Sequence, residues 1–548
     1  MKFFYTILLT LFAATSFAQD ALSPSSKRFS DYYFDSDSQL SAQFRQTACF
    51  YTIQKQHRND TSDCSSAAVS LFKSGGESDG DFLVYEGDGN KDYGISGSGV
   101  KDYGKYGILY GKAFYALGKH YDISWNAMRF PELYLPYIIT DSTGGDSKFE
   151  TYCAQGGYAK KIGGWHYGFD FSFYGEQAWR LTDPRVLNNT TFLTFKLSAG
   201  KVFDSGNALW VSAYYTRNKQ YLHNRYWRPG EQQRFFVLYG FGLYDNKRSS
   251  VSFGVSRMYY INNTGAEISY LSPDFKPWKI AASVNYDFKN MYTEESDIVK
   301  LYNTRSHTIT PSVSVGYTFG DIEIKLVSLS QIMLRKGVEN ILERYLTDVA
   351  NSTYDYRKIA EEQNYKFNNV NSNNTLRLVY NFDGAKKAGI EFGANVFSRT
   401  EQNTKYHYKV NNLNVTPKVK ADFSTVSQGG KHALNVGVMY GRQIAVKNSY
   451  DVEIKNSAIP HVDFQTCFAP YAYFAAEFDV VAGEFCYQYN LQKFSIGFKV
   501  NGLLISGNRI DDVEYNKTIG YNSVCPMVDT RTAPHDEKWV NGSVFVKF

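Results

Sequence analysis

The chain has 548 residues, 43% hydrophobic and 17% aromatic, with a formal net charge of +5 and a mean hydropathy of −0.40. The positive charge is spread out with no basic block, which excludes a nucleic-acid partner held by charge. Beyond the first twenty residues no long uncharged apolar run occurs, which excludes a helical membrane protein.

Residues 1–18 read as a signal peptide: Lys2 supplies the charged start, 3–12 the apolar run, and Ser16-Phe17-Ala18 a small-x-small cleavage site before Gln19. The apolar run is shorter than the ~20 residues a helical span needs. Residues 19–39 are Ser-rich and flexible in this reading, too short for a separate plug domain. No linker or composition shift follows, so 40–548 is expected to be one barrel domain. Six cysteines in an exported chain permit disulfides. Cys49 and Cys64 are close enough to close a small loop, whereas the pairing of Cys153, Cys467, Cys486 and Cys525 is not legible.

In chain order, 40–53 reads as a first strand, and 67–73 and 82–99 as weaker, Gly-rich ones. Residues 103–116 are expected to turn at Leu117-Gly118-Lys119 into 120–129, followed by a long tip over 130–147. Residues 149–161 turn at Ile162-Gly163-Gly164 into the most informative strand. There Trp165, Tyr167, Phe169, Phe171 and Phe173 alternate with His166, Gly168, Asp170 and Ser172, with Glu176 in phase with the polar set. Only a β-strand puts alternate residues on opposite faces. Behind an export signal, and repeated along the chain, the pattern predicts grease toward lipid and polar residues toward a lumen. Leu193, Phe195 and Leu197 oppose Lys196 and Ser198 in the same way. Val251, Phe253 and Val255 oppose serines, and Ile322, Ile324 and Leu326 oppose Glu323 and Lys325. Glu391 and Asp422 are placed on the lumen side by the same rule.

Short connections are expected near 118, 163, 205, 245, 320, 384, 429 and 482, and longer ones between them. An extra hairpin over 267–271 keeps the rhythm through 262–276. Alternating short and long connections characterise an outer-membrane barrel with short periplasmic turns and long external loops. The expected fold is therefore all-β: a single transmembrane antiparallel β-barrel of about 20 strands, within 18–22. The final strand, with Val544, Val546 and Phe548 alternating, resembles the signal such barrels present to their insertion machinery. Two late loops, 336–369 and 506–537, are expected outside. In the first, Val338, Ile341, Leu342, Tyr345 and Leu346 have helical spacing.

Asp88, Asn90 and Asp92 alternate like calcium ligands, but Gly94 is one place late and Gly99 replaces the closing Glu, so a polar turn is the better reading. No Gly-x-Ser-x-Gly occurs, the nine histidines form no metal spacing, and His432 and His535-Asp536 are isolated. A membrane hydrolase is thus the weakest reading, and no cofactor or metal is expected.

The segment from Tyr174 to Arg180, followed by Asp183, Pro184, Arg185 and Asn188, resembles the Tyr-Arg-x-x-Asp-Pro-Arg-Pro motif of a Bacteroidota outer-membrane barrel family of unknown function. Trp179 stands for the Tyr and Val186 for the second Pro. Glu150, Tyr152, Gly156 and Gly157 are similar to that family's preceding strand. The resemblance implies a fold and a location, the outer membrane of a Gram-negative bacterium, and no reaction. Arg180, Asp183, Pro184 and Arg185 are read as ordering their loop. The expected function is a passive channel or transport-associated component, contacting outer-membrane lipid, the insertion machinery and an outer-membrane transport partner. The alternative is a blocked barrel whose loops bind a protein or glycan.

Overall fold

The computed structural model describes residues 44, 47–57, 64–79, 83, 85–141, 143–225, 236–240, 244–245, 256–273, 277–295, 299–348, 353–452, 469–507 and 536–548. The segments expected to be a signal peptide, a flexible stretch over 19–39 and a strand over 251–255, nearly all of 506–537, Cys467 and Cys525 lie outside the described residues. No described helix is long and apolar enough to cross a membrane.

Among the described residues, eighteen antiparallel strands form one sheet. The first six are β1 (Ser66–Asp79), β2 (Gly89–Asp102), β3 (Ile108–Tyr121), β4 (Ser147–Ile162), β5 (Trp165–Arg180) and β6 (Arg185–Val202). Then come β7 (Ala208–Arg225), β8 (Ser256–Leu271), β9 (Trp278–Glu295), β10 (Tyr302–Phe319), β11 (Ile322–Asp348) and β12 (Thr353–Asn381). The last six are β13 (Lys386–Asn403), β14 (Tyr408–Val426), β15 (His432–Val452), β16 (Phe478–Asn490), β17 (Ser495–Gly507) and β18 (Asp536–Lys547). Each pairs with its neighbours in sequence, and β1 pairs with both β2 and β18, Val69 lying opposite Gly97 on one side and Val546 on the other. The sheet is therefore closed, which leaves no exposed edge along its length.

The alternation in β5 is realised in space. Trp165, Tyr167, Phe169 and Phe173 are exposed, while His166, Asp170 and Glu176 are buried. Across to β6, Phe169 faces Leu197 and Phe171 faces Phe195, whereas Asp170 faces Lys196. Exposed Leu, Ile, Val, Phe, Tyr and Trp side chains circle the outside from β1 to β18. Water-accessible grease on that scale has no place on a soluble monomer.

One end of the barrel carries only compact connections, at 103–107, 163–164, 203–207, 272–277, 320–321, 382–385, 427–431 and 491–494, together with both ends of the barrel sequence. At the other end connections range from the four-residue 181–184 and 404–407 to the long 122–146, 226–255 and 453–477. Gly163, Gly320, Gly384 and Gly429 all have positive φ in the compact turns, the conformation in which only glycine is unstrained.

Several expected boundaries are corrected. Gly118 is inside β3, not at a turn, because its missing side chain makes room for Phe149: a Cβ would lie 2.1 Å from Cζ of that ring. Residues 120–129 accordingly do not form a strand; β3 ends at Tyr121 and a loop follows. The expected extra hairpin at 267–271 is the end of the continuous β8, where Gly265 sits under the Tyr214 ring. Likewise Ala482 and Gly483 lie within β16. Asn90 and Asp92, read as part of a polar turn, lie on β2.

The helix expected within 336–369 is absent: that segment continues β11 and β12 as a long hairpin. Register shifts occur between Gly337 and Glu339, Ile341 and Leu342, and Leu346 and Asp348. Each bulge moves the apolar phase by one residue, and the displaced alternation imitates a helical pattern. Finally, 40–53 contains no described strand. Residues Ala48–His57 form helix α1.

The barrel interior as candidate functional site

Helix α1 lies inside the barrel at the compact-turn end. Phe44, Cys49, Phe50 and Ile53 pack with Ala208 and Trp210 of β7. Its seat is made of small residues. A Cβ on Gly168 would lie 2.7 Å from the Cys49 amide nitrogen, one on Gly200 would lie 2.6 Å from Cδ1 of Ile53, and one on Gly157 would lie 3.0 Å from Cβ of Ala48. Polar contacts fix its position. The Ala48 amide and the Tyr110 hydroxyl each donate to Oδ1 of Asp170 at 2.7 Å. A carboxylate facing the first amides of a helix is stabilised by their unsatisfied N–H groups and by the helix dipole. Nε2 of His166 lies 2.8 Å from Oε1 of Gln56, and Nζ of Lys196 donates to Oγ1 of Thr47 at 3.3 Å. Lys55 pairs with Asp102. Burial holds the Cys49 thiol up at about 12.

Cys49 and Cys64 are not joined; both are free, as are Cys153 and Cys486. Cys49 is buried against the His166 carbonyl, whereas Cys64 is exposed and donates to Asp102 at 3.4 Å.

At the opposite end the 122–146 loop folds into the barrel mouth. Ala127, Met128, Tyr134, Ile138 and Ile139 form a core with Val186, Leu222, Tyr259, Ile261 and Met291 of the wall. Glu176 pairs with Arg129 of that loop and accepts hydrogen bonds from the Tyr174 hydroxyl at 2.6 Å and Thr151 at 2.8 Å. Arg180 reaches Asp141 at 2.8 Å, the Thr143 carbonyl at 2.9 Å and the Pro184 carbonyl at 3.0 Å. Asp183 and Arg185 pair at 3.3 Å beside it. Arg180 thus holds one loop to another. Ile139–Thr140 also pairs with Phe236–Leu238 of the next long loop, and the Tyr239 carbonyl accepts from Asn403 and Tyr408 at 3.2 Å. Arg335 of β11 donates to the Glu132 carbonyl at 2.9 Å. The inward loops thus tie one wall of the mouth to the other.

All eight residues assigned to the lumen lie on the interior-facing side of their strands, but they form three groups. His166, Asp170 and Lys196 surround α1. Glu176 joins the outer loop. Glu323, Lys325, Glu391 and Asp422 lie on β11, β13 and β14 near the compact turns. There Arg377 donates to both oxygens of Asp422, at 3.1 and 2.9 Å, and Lys418 donates to Asn373 at 2.9 Å. Residues 389 and 393, both glycine, let these side chains cross β13: a Cβ would lie 2.7 Å from the Asp422 carboxylate and 2.9 Å from the Lys418 stem. No group of three or more metal-ligating side chains occurs among the described residues.

The seat for α1 was missed from sequence. The available signal was the i, i+1, i+4, i+5 spacing of Ala48, Cys49, Thr52 and Ile53, which favours a helix over the strand assigned and which the structure buries.

These features define a closed antiparallel barrel with an apolar exterior, a polar interior and inward-folded segments at both ends. Residues 56–523 match the model of a family of unknown function (DUF6850), and the chain belongs to that family. No curated protein matches it. Solved structures with similar architecture include the FrpB iron transporter from Neisseria meningitidis (11% identity, 90% of this chain and 83% of that one, TM-score 0.39). Others are the copper transporter OprC (9%, 89% and 80%, TM-score 0.40) and BauA, the ferric preacinetobactin receptor from Acinetobacter baumannii (9%, 89% and 80%, TM-score 0.35).

Proposed function

We propose that the chain is a transport-associated barrel of a Gram-negative outer membrane that conducts small polar solutes passively through its interior. The observation that carries this reading is the reversal of ordinary protein polarity: apolar side chains circle the outside, and Asn, Ser, Thr and ion pairs line the inside. That arrangement suits lipid around a hydrated lumen. Barrels of 16–18 strands leave an aqueous channel, and a single helix of roughly 10–12 Å diameter fills only part of one. Helix α1 packs mainly on the β3–β7 side, with Lys55 reaching Asp102 of β2 and Leu271, Ala281 and Leu329 flanking its cluster from β8, β9 and β11. Gln331 and Asn371, facing inward on β11 and β12, remain exposed. No catalytic step is assigned. The partners in this reading are outer-membrane lipid, the insertion machinery and any component that delivers or receives solute.

A second reading, a blocked barrel whose loops bind a protein or glycan, draws on the inward-folded 122–146 and 236–240 segments. Single-channel recording of the purified chain in planar bilayers separates the two. Passive conduction gives steady ohmic steps; a blocked barrel gives none.

A further inference from the structure

The strand register places a patch of carboxamides on one interior wall. Across β11, β12, β13 and β14, one level is Gln331, Asn371, Phe397 and Asn414. The level on its compact-turn side is Leu329, Asn373, Asn395 and Thr416, and the level on its other side is Met333, Asn369, Arg399 and Asn412. More than half of these positions are Asn or Gln and none is a carboxylate. The single cation, Arg399, is paired with Glu401. Asparagine disfavours strands, so neither propensity nor apolar packing accounts for the patch.

Two further observations point to a ligand. Oδ1 of Asn369, Asn395, Asn412 and Asn414 and Nδ2 of Asn373 are buried without a protein hydrogen-bond partner, a costly state unless something polar meets them. At the centre of the patch Gln331 and Asn371 are exposed to the interior, and the half-buried Phe397 lies between Asn371 and Asn414.

We propose that this wall binds a neutral polyhydroxylated chain, an oligosaccharide, on its way through the barrel; the passage itself rests on the channel reading above. A hydroxyl both donates and accepts, as a carboxamide does, so adjacent hydroxyls can be matched in succession along a row. The Phe397 ring is stacked on Phe474 with centroids 6.0 Å apart, and this aromatic pair supplies an apolar surface for the C–H face of a sugar ring, the combination of aromatic surface and few polar groups found in ligand sites. A peptide offers only one N–H and one C=O per residue to the same row.

The test uses the full-length protein in detergent, titrated calorimetrically with maltohexaose and with an uncharged hexapeptide, alongside bilayer recording with each probe. Maltohexaose should bind and interrupt the ion current. Asn371→Ala, Asn395→Ala and Phe397→Ala should each weaken binding about tenfold, the loss of one or two good contacts. Absence of sugar binding, binding of the peptide alone, or unchanged affinity in all three variants overturns the proposal. Conductance without sugar binding rejects the site and leaves the channel; sugar binding without conductance keeps the site and rejects the channel.

Discussion

Gly168 has no side chain because α1 occupies the space where one would go. A Cβ there would lie 2.5 Å from Oγ of Ser198 as well as against the Cys49 amide, so Gly168→Val should unseat the helix. Cys49 reports the outcome, because burial both hides its thiol and raises its pKa to about 12, and the thiolate is the reactive form. With the other five cysteines changed to serine, maleimide labelling of Cys49 should be slow in the parent and markedly faster in the variant. Equal rates would mean that the glycine seat does not hold α1. At the other mouth, Arg180→Met leaves the buried Asp141 carboxylate without its guanidinium. Breaking such a buried pair costs about 3–5 kcal/mol, which should appear as rapid protease cleavage within 122–146 while the barrel core stays resistant. An unchanged cleavage pattern would count against this anchor.

Strand β5 carries the facing assignment most clearly. Phe169→Lys puts a charge on the outer face, where it costs ~2–4 kcal/mol near the lipid midplane, whereas Ser172→Lys points into a hydrated interior. The first should lower the amount of folded protein in the outer membrane and the second should leave it unchanged; the reverse order would invert the barrel. Closure makes a second demand. The Phe548 amide donates to the Ala67 carbonyl at 2.8 Å and the Ala67 amide returns a bond to Phe548 at 3.2 Å. Deleting Lys547 and Phe548 removes the terminal pairs of the seam between β18 and β1 and should divert the chain to periplasmic aggregates; normal surface yield would contradict that. The facing of β5, β6 and the start of β11 was legible because side-chain period alone decides it. An element whose glycine serves close packing was misread as a turn at Gly118, since sequence does not distinguish a glycine that bends the chain from one that admits a ring. The bulges in β11 and β12 hid a hairpin behind a helical spacing for a related reason: each extra residue shifts the phase.

At the scale of the whole molecule, the closed barrel with compact turns at one end was legible, with 18 strands at the lower limit of the expected range. The eight lumen residues fall on the interior face, yet sequence could not show that three of them seat a helix and another holds a loop, because those contacts join segments more than a hundred residues apart or depend on loop paths without periodicity. Asp170 and the Ala48 amide are 122 positions apart. What results is a wide barrel narrowed from within by its own chain. The most direct test compares the single-channel conductance of the full chain with that of a variant lacking residues 44–57. Passive conduction past α1 predicts ohmic steps from both proteins and larger ones from the variant; equal steps would remove α1 as a constriction, and silence from both would contradict the channel itself.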